Sequence, residues 1–202
     1  MPEHNLMETA DRAAEALSGK GLAFDVYVRA SSSTRVEVRE QKLDAFEEAA
    51  TWGVGVRVLR PDGRMGFAYS TGSTDAAVEA AMKAAENAAS SEPDEFNTIP
   101  EPPVGAYPDF DEYDETITGI TERDKIERAM AIEKAALDFD PRVTKVRKSS
   151  ASFSEGRWAL VSSTGVRVAS RGTYFSCGIM AVAEESGESQ MGYDFDYRRR
   201  AG

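Results

Sequence analysis

The chain offers few side chains that could act as a nucleophile or bind a soft metal, because it holds one cysteine, Cys177, and one histidine, His4. Nucleophilic catalysis by cysteine or serine needs a neighbouring base, most often histidine. Cys177 lies in the apolar run YFSCGIMAV, which is typical of a buried structural cysteine, and His4 lies near the N-terminus, where an imidazole is normally exposed. A single histidine also excludes a site that needs two imidazoles from this chain. We therefore predict no catalytic, cofactor-binding or metal-binding residue here.

The glycine pair Gly53 and Gly55 in TWGVGVRVLRPDG is the one candidate for a phosphate-binding loop. A dinucleotide fingerprint needs a third glycine and must join a strand to a helix, so that the helix N-terminus faces the pyrophosphate. Here the glycines lie among alternating valines, and the next element is a strand. We interpret them as strand glycines that admit a bulge or a large neighbouring side chain such as Trp52.

Two charged runs could bind ions or partners. The segment Asp109–Glu115 (DFDEYDE) lacks the spacing of a calcium loop, since Asp114 and Ile120 stand where glycine and glutamate are required, and we expect a solvated acidic linker. The run Tyr197–Arg200 (YRRR) either pairs with acidic groups of this chain or a partner, or forms a solvated end.

The overall charge disfavours nucleic acid as a direct ligand, because 35 acidic and 24 basic residues leave a formal net charge of -11. No segment supplies the roughly 20 apolar residues of a membrane helix, and the N-terminus lacks the basic start and apolar run of a signal peptide. We expect a cytoplasmic protein that binds neither a membrane nor nucleic acid directly.

Hydrophobic periodicity predicts the elements that would position any site. Apolar residues at helical spacing between Leu6 and Leu17 predict a first helix, and the alternation in FDVYVRA predicts a half-buried strand. We then expect a turn at Ser31–Thr34, a strand through TRVEVRE, a link through Lys42 and Leu43, and a further strand from near Phe46.

The rest of the chain continues the same pattern. A hairpin turn is expected at Arg60–Arg64, followed by a returning strand and an alanine-rich helix that Ser73 or Thr74 caps. After a proline-rich, acidic stretch, Thr121 and Asp124 approximate a capping box at the start of another helix. From Val143 to Tyr197 the sequence is typical of strands.

A short internal echo predicts a repeat. GVGVRVLRPDGRMGFAY (residues 53–69) matches CGIMAVAEESGESQMGYDF (177–195): a strand, a turn with one glycine, then Met-Gly-aromatic-x-aromatic. We therefore predict an α+β protein of two diverged helix-plus-antiparallel-sheet units in tandem. The expected divisions are a first unit at 1–95, a linker at 96–119, and a second unit at 120–202, truncated before a C-terminal domain.

The sequence resembles the TldD/PmbA family, once called modulators of DNA gyrase. The resemblance lies in FDVYVR, in TRVEVREQKLDAFEEAATWGVGVRVLRPDGRMGFAYST, in DAAVEAAMKAAENA, and in SSTGVRVASRGTYFSCGIMAVAEESGESQMGYDF, and the late part is closer to the PmbA (TldE) type. It implies that the chain is an N-terminal half. The family's catalytic subunit is similar to a zinc peptidase with a His-Glu-x-x-x-His helix in its C-terminal half, and no position of this sequence matches that motif.

The resemblance implies a function as the N-terminal, non-catalytic region of a PmbA-like subunit in a peptide-processing metalloprotease complex. Its expected partners are a TldD-like zinc peptidase subunit, which carries the zinc, and unfolded peptide that pairs with strand edges. A stand-alone protein-interaction module of the gyrase-modulator kind is the alternative, and it would bind a protein target without a peptidase partner.

Overall fold

The computed structural model describes residues 5–108 and 110–200. Helices and strands follow one another in this order: α1 (Leu6–Leu17), β1 (Ala23–Arg39), β2 (Lys42–Leu59), β3 (Met65–Ser70), α2 (Thr74–Ser90), α3 (Glu115–Thr118), α4 (Glu122–Phe139), β4 (Val143–Ser162), β5 (Arg167–Glu185) and β6 (Glu188–Arg198). No helix in this part of the chain is both long and apolar enough to cross a membrane.

The six strands form one sheet in the order β3-β2-β1-β4-β5-β6. Each half of the chain supplies a long helix followed by three consecutive strands, α1 with β1 to β3 and α4 with β4 to β6. The hairpins β2–β3 and β5–β6 are antiparallel. The predicted α+β class, built from helix-plus-antiparallel-sheet units, is therefore confirmed.

The long strands pass through two compact units, so each unit is assembled from three separated segments. One unit comprises the residues up to Ser31, Ala50–Phe110 and Gly156–Arg171, and the other comprises Ser32–Ala49, Asp111–Glu155 and the residues from Gly172 onward. The sequence predicted divisions at residues 95 and 119, which cut the chain into consecutive segments. These domain boundaries stay a prediction.

In the first unit, α1 and α2 supply the helical side of the core. Asn5 caps α1 by accepting a hydrogen bond from the backbone N–H of Glu8, and Ser73 caps α2 by accepting from Ala76. The strands contribute alternate valines, and the helices mainly alanines, which lets helix and sheet backbones approach closely. The fully buried members include Ala10, Ala13, Val26, Val28, Val56, Val58, Ala77, Ala81, Ala84 and Ala88.

In the second unit, α4 packs on a smaller core. Thr121 caps the helix as expected: its hydroxyl accepts from the Asp124 backbone N–H and donates to the Asp124 carboxylate. The buried core residues here are Val36, Val38, Ile117, Ala129, Ala151 and Phe153. Ile117 belongs to α3, so part of the segment expected to be a linker contributes to this core.

Two sequence expectations about turns were wrong. Ser31–Thr34 does not turn, because β1 continues through it. The Ser31 hydroxyl bonds to that of Thr51 at 2.7 Å, and the hydroxyl of the buried Thr34 accepts from the Lys125 side chain at 2.8 Å. The link expected at Lys42 and Leu43 is already part of β2. The chain reverses one step earlier, at Glu40 and Gln41, which both have a φ of 54°.

The other predicted turn is confirmed. The Gly63 N–H donates to the Arg60 carbonyl at 3.0 Å, and Gly63 has a φ of 83°, a conformation that glycine adopts without strain. Gly165 and Gly187 occupy turns in the same way, between β4 and β5 and between β5 and β6.

Candidate functional site

The glycine pair in β2 serves packing, as the sequence indicates. A Cβ on Gly55 would lie 3.4 Å from the ring of Phe67 on β3, and a Cβ on Gly53 would lie 3.3 Å from the Ser70 carbonyl oxygen. The large side chain beside Gly55 is therefore that of Phe67. Neither glycine precedes a helix, so no phosphate cradle forms here.

The residues considered for nucleophilic or metal chemistry do not come together. Cys177 lies in β5 opposite Asp196 of β6, and it is half-buried and free, not fully buried as expected. His4 lies outside the described residues. Within residues 5–108 and 110–200, no group of three His, Cys, Asp or Glu side chains could hold a metal ion. The zinc that the family resemblance implies was expected in the partner subunit and not in this chain.

The acidic run and the basic run pair with each other. Arg199 forms an ion pair with Glu112 at 2.9 Å, and Arg200 pairs with Asp111. Both carboxylates are paired with arginines, while the Asp111 side chain stays 76% exposed, as expected for a solvated acidic segment. Of the two alternatives for the arginines, the structure shows pairing with acidic groups of the chain. Asp109, where the predicted run begins, lies outside the described residues.

A buried threonine holds this acidic segment on β5. The Thr173 N–H donates to the Glu112 carbonyl, and its hydroxyl accepts from the Asp114 N–H and donates to the Arg199 carbonyl, each at 2.9 Å. Only 1% of Thr173 is exposed. We call residues 111–114 the acidic strap. One side chain thus fixes both the strap and the chain that leaves β6.

A buried carboxylate fixes the turn between β1 and β2. Glu133 of α4 is 1% exposed, and its two carboxylate oxygens accept from the backbone N–H groups of Glu40 at 2.8 Å and Gln41 at 2.7 Å. The Gln41 amide also donates to Glu133 and to the Met130 carbonyl. These bonds satisfy a buried charge, so Glu133 is a structural residue.

The strand β6 presents an aromatic surface. All 11 residues of β6 are exposed, and β6 ends the strand order of the sheet. Alternate positions carry large apolar side chains, of which Tyr193 is 77% and Phe195 66% exposed. We call this set the β6 aromatic row: Met191, Tyr193, Phe195 and Tyr197. Natural proteins rarely expose a contiguous apolar patch of this kind without a binding role.

The aromatic row lies on the sheet face away from α4. Residues directly opposite in a ladder share a face. Arg198 lies opposite Phe175, which packs on the core that α4 covers, whereas Tyr197 lies opposite Ser176 and stacks on Tyr174 at 5.9 Å. The row is therefore on the other face.

The open edge of β6 presents two backbone donors. The Phe195 N–H donates to the Asp194 carboxylate and the Tyr197 N–H to the Asp196 carboxylate, both at 2.8 Å. These N–H groups therefore point away from β5. An acceptor strand could take the place of the two exposed carboxylates.

The other terminal strand, β3, carries a shorter related row of Met65, Phe67 and Tyr69. Helix α2 packs against this strand. The Asn87 side chain donates to the Phe67 carbonyl at 2.8 Å, and Gly66 lies so close to α2 that a Cβ would be 2.0 Å from the Ala84 carbonyl oxygen. Of the two terminal strands, β6 is the more accessible to a further strand.

The two hairpins share one register, which supports the repeat inferred from the sequence echo. Gly55 lies opposite Tyr69 in β2–β3, and Gly178 lies opposite Phe195 in β5–β6. In both cases a glycine faces the last aromatic residue of Met-Gly-aromatic-x-aromatic. The correspondence extends from sequence to strand pairing.

Two family descriptions match the chain: "PmbA/TldA metallopeptidase domain 1" at residues 24–91 and "PmbA/TldA metallopeptidase central domain" at residues 115–201. Together they span most of the sequence. The chain belongs to the PmbA/TldD family. This membership confirms the resemblance seen in the sequence.

Solved structures of the PmbA/TldD fold superimpose on nearly the whole chain. A proposed modulator of a DNA gyrase from Thermotoga maritima has a TM-score of 0.80 at 17% identity and covers 96% of this chain and 43% of its own. TldE from Thermococcus kodakarensis has a TM-score of 0.77 at 19% identity, with 95% and 42% covered. These likenesses show the fold.

A curated relative is an uncharacterized protein of Methanocaldococcus jannaschii, which is 28% identical over 160 residues, or 79% of this chain and 36% of its own length. The chain spans less than half the length of the relatives it matches. The sequence pattern identified the Met-Gly-aromatic motif but did not identify β6 as an exposed strand. Alternation of apolar residues was the available signal, and it cannot tell an exposed face from a buried one.

Proposed function

We propose that this chain is the non-catalytic region of a PmbA-like subunit in a cytoplasmic TldD/PmbA metallopeptidase complex. In this complex it contributes to assembly with a TldD-like zinc subunit and binds unfolded peptide. The zinc and the groups that cleave the peptide belong to the partner. Family membership supports the peptidase context.

The observation that carries peptide binding is the open edge of β6. An extended peptide can add to a sheet edge through main-chain hydrogen bonds, which makes binding tolerant of sequence. The Phe195 and Tyr197 N–H groups point outward and supply the donors, while the aromatic row supplies apolar contact area beside them.

The test is cleavage of an unfolded peptide by the complex reconstituted with a TldD-like zinc subunit. Phe195→Pro removes one outward N–H and no N–H that points at β5, whereas the control Phe195→Ala keeps the N–H. We expect Phe195→Pro to raise KM about threefold or more beyond the control, the loss of roughly one hydrogen bond.

Unchanged cleavage by Phe195→Pro, with folding verified by circular dichroism, would contradict binding at this edge. Unchanged cleavage by a complex that lacks residues 1–202 would contradict the whole proposal. An affinity pull-down distinguishes this proposal from the alternative, a stand-alone protein-interaction module. Such a module would recover a stable protein target without the zinc subunit.

A further inference from the structure

We infer that the β6 edge selects peptides that alternate apolar with basic residues, and that Asp194 is the main selecting group. This inference rests on the proposed function, since it specifies the class of peptide held at the same edge. It follows from the two different faces that β6 presents to an added strand.

The first face favours apolar residues. In an added antiparallel strand, side chains directly opposite Tyr193 and Phe195 lie about 5 Å away on the same face. That face carries the aromatic row and lies away from α4. Apolar peptide side chains placed there extend the row and remove its surface from water.

The second face favours positive charge. Asp194 and Asp196 alternate with the aromatic row, so peptide residues between the apolar ones lie opposite these carboxylates. When a peptide carbonyl takes over the outward N–H of Phe195, Asp194 loses its 2.8 Å hydrogen bond. A lysine or arginine opposite Asp194 replaces that interaction with an ion pair.

The two aspartates are not equivalent. Asp196 already forms an ion pair with Arg198 at 3.0 Å, which offsets its charge. Within the part of the chain that the structure describes, Asp194 has no cationic side chain at ion-pair distance. Selection for a basic residue therefore depends more on Asp194 than on Asp196.

The edge of β3 lacks this combination. Its residues between the apolar positions are Gly66 and Ala68, and Gly66 packs directly against α2. No carboxylate alternates with that row. Selection of basic over acidic peptides therefore reports on β6 and not on β3.

The experiment measures affinity of the chain for short fluorescent peptides that alternate valine with lysine, serine or glutamate. A fourth peptide has the valines and lysines in separate blocks, which controls for the attraction of any cation to a chain of net charge -11. We expect the lysine peptide to bind about threefold or more tightly than the serine peptide, and the glutamate and block peptides to bind most weakly.

Asp194→Asn is expected to reduce the lysine-over-serine preference to about twofold or less, while Asp196→Asn changes it less. Glu188→Gln removes the same charge elsewhere on β6 and serves as the matched control, with the preference retained. Sedimentation velocity of the same samples reports self-association.

Equal affinity for the lysine, serine and glutamate peptides would overturn the inference and leave the proposed function standing. A preference that survives Asp194→Asn would also overturn it. Failure of every peptide to bind, or a dimer that no peptide dissociates, would overturn the inference together with peptide binding at β6.

Discussion

The carboxylate of Glu133 lies 2.7 Å from the backbone nitrogen of Gln41, a residue 92 positions earlier in the chain. Glu40 and Gln41 both adopt the left-handed backbone conformation with a φ of 54°. That conformation costs about 1 kcal/mol or more for each residue with a Cβ. Glu133 offsets this cost by accepting both N–H groups of the turn.

Glu133→Ala should destabilise the protein by about 2 to 4 kcal/mol, because it leaves two backbone donors near α4 without their acceptor. Urea denaturation measures the change. Glu127→Ala is the matched control in the same helix: its carboxylate pairs with Arg123 on an exposed surface, and the expected loss is below about 0.5 kcal/mol. Equal losses of stability in the two variants would contradict the stabilising role of Glu133 at the turn.

Gly66→Ala should destabilise the first unit by about 3 kcal/mol, because the new methyl group would overlap the backbone of α2 at Ala84 and Ala88. The repeat supplies the control. Gly192 holds the corresponding place in Met-Gly-aromatic of β6, where a Cβ meets nothing within 4 Å, so Gly192→Ala should be neutral or slightly stabilising. Thermal unfolding that shows similar losses in both variants would refute this packing.

Stability should fall as acid is added below about pH 4, since hydrogen bonds to cations hold carboxylate pKa values low. Arg142 lowers the pKa of Asp140 to about 2, and Lys148 lowers the pKa of Glu37. Unfolded carboxyl groups titrate near pH 4. A folded pKa below the unfolded value gives stability that is present above about pH 4 and lost as pH falls through about 2.

Asp140→Asn tests this linkage, because the variant lacks the titrating group. Its free energy of unfolding, measured by urea denaturation from pH 6 to pH 2, should depend less steeply on pH than that of the unmodified protein. Parallel curves for the two proteins would show that the Asp140–Arg142 pair carries no pH-dependent stability.

Thr173→Val should release the acidic strap, because the variant keeps the shape of the side chain and loses both hydroxyl hydrogen bonds. The expected destabilisation is about 1 to 3 kcal/mol. Hydrogen exchange at the backbone amide of Asp114 should become faster. Arg199→Ala removes the exposed ion pair to Glu112 and should have a smaller effect on stability, so a larger loss in Arg199→Ala would contradict the anchoring role of Thr173.

The helices and most strands could be predicted from local pattern, because their caps and periodicity are local. Thr121 with Asp124 marks the start of α4, and alternating valines mark β2. The turn at Glu40 and Gln41 could not be predicted in this way. Neither residue type usually adopts the left-handed backbone conformation, and the carboxylate that accepts their N–H groups belongs to Glu133 in α4.

The candidate site was predictable only in part. The Met-Gly-aromatic echo identified Met191, Tyr193 and Phe195 of the aromatic row, but the alternation in β6 does not say which face is covered. The pairing of Arg199 with Glu112 spans 87 positions, and no sequence rule fixes a contact of that range. Long-range contacts thus decide which charged side chains are paired.

Peptide binding at β6 is tested most directly by amide hydrogen exchange, measured by nuclear magnetic resonance with and without an unfolded peptide. The account predicts slower exchange at the Phe195 and Tyr197 N–H groups when peptide is present, with the β3 amides unchanged. Unchanged exchange at both β6 positions under saturating peptide, or slower exchange confined to β3, would contradict it.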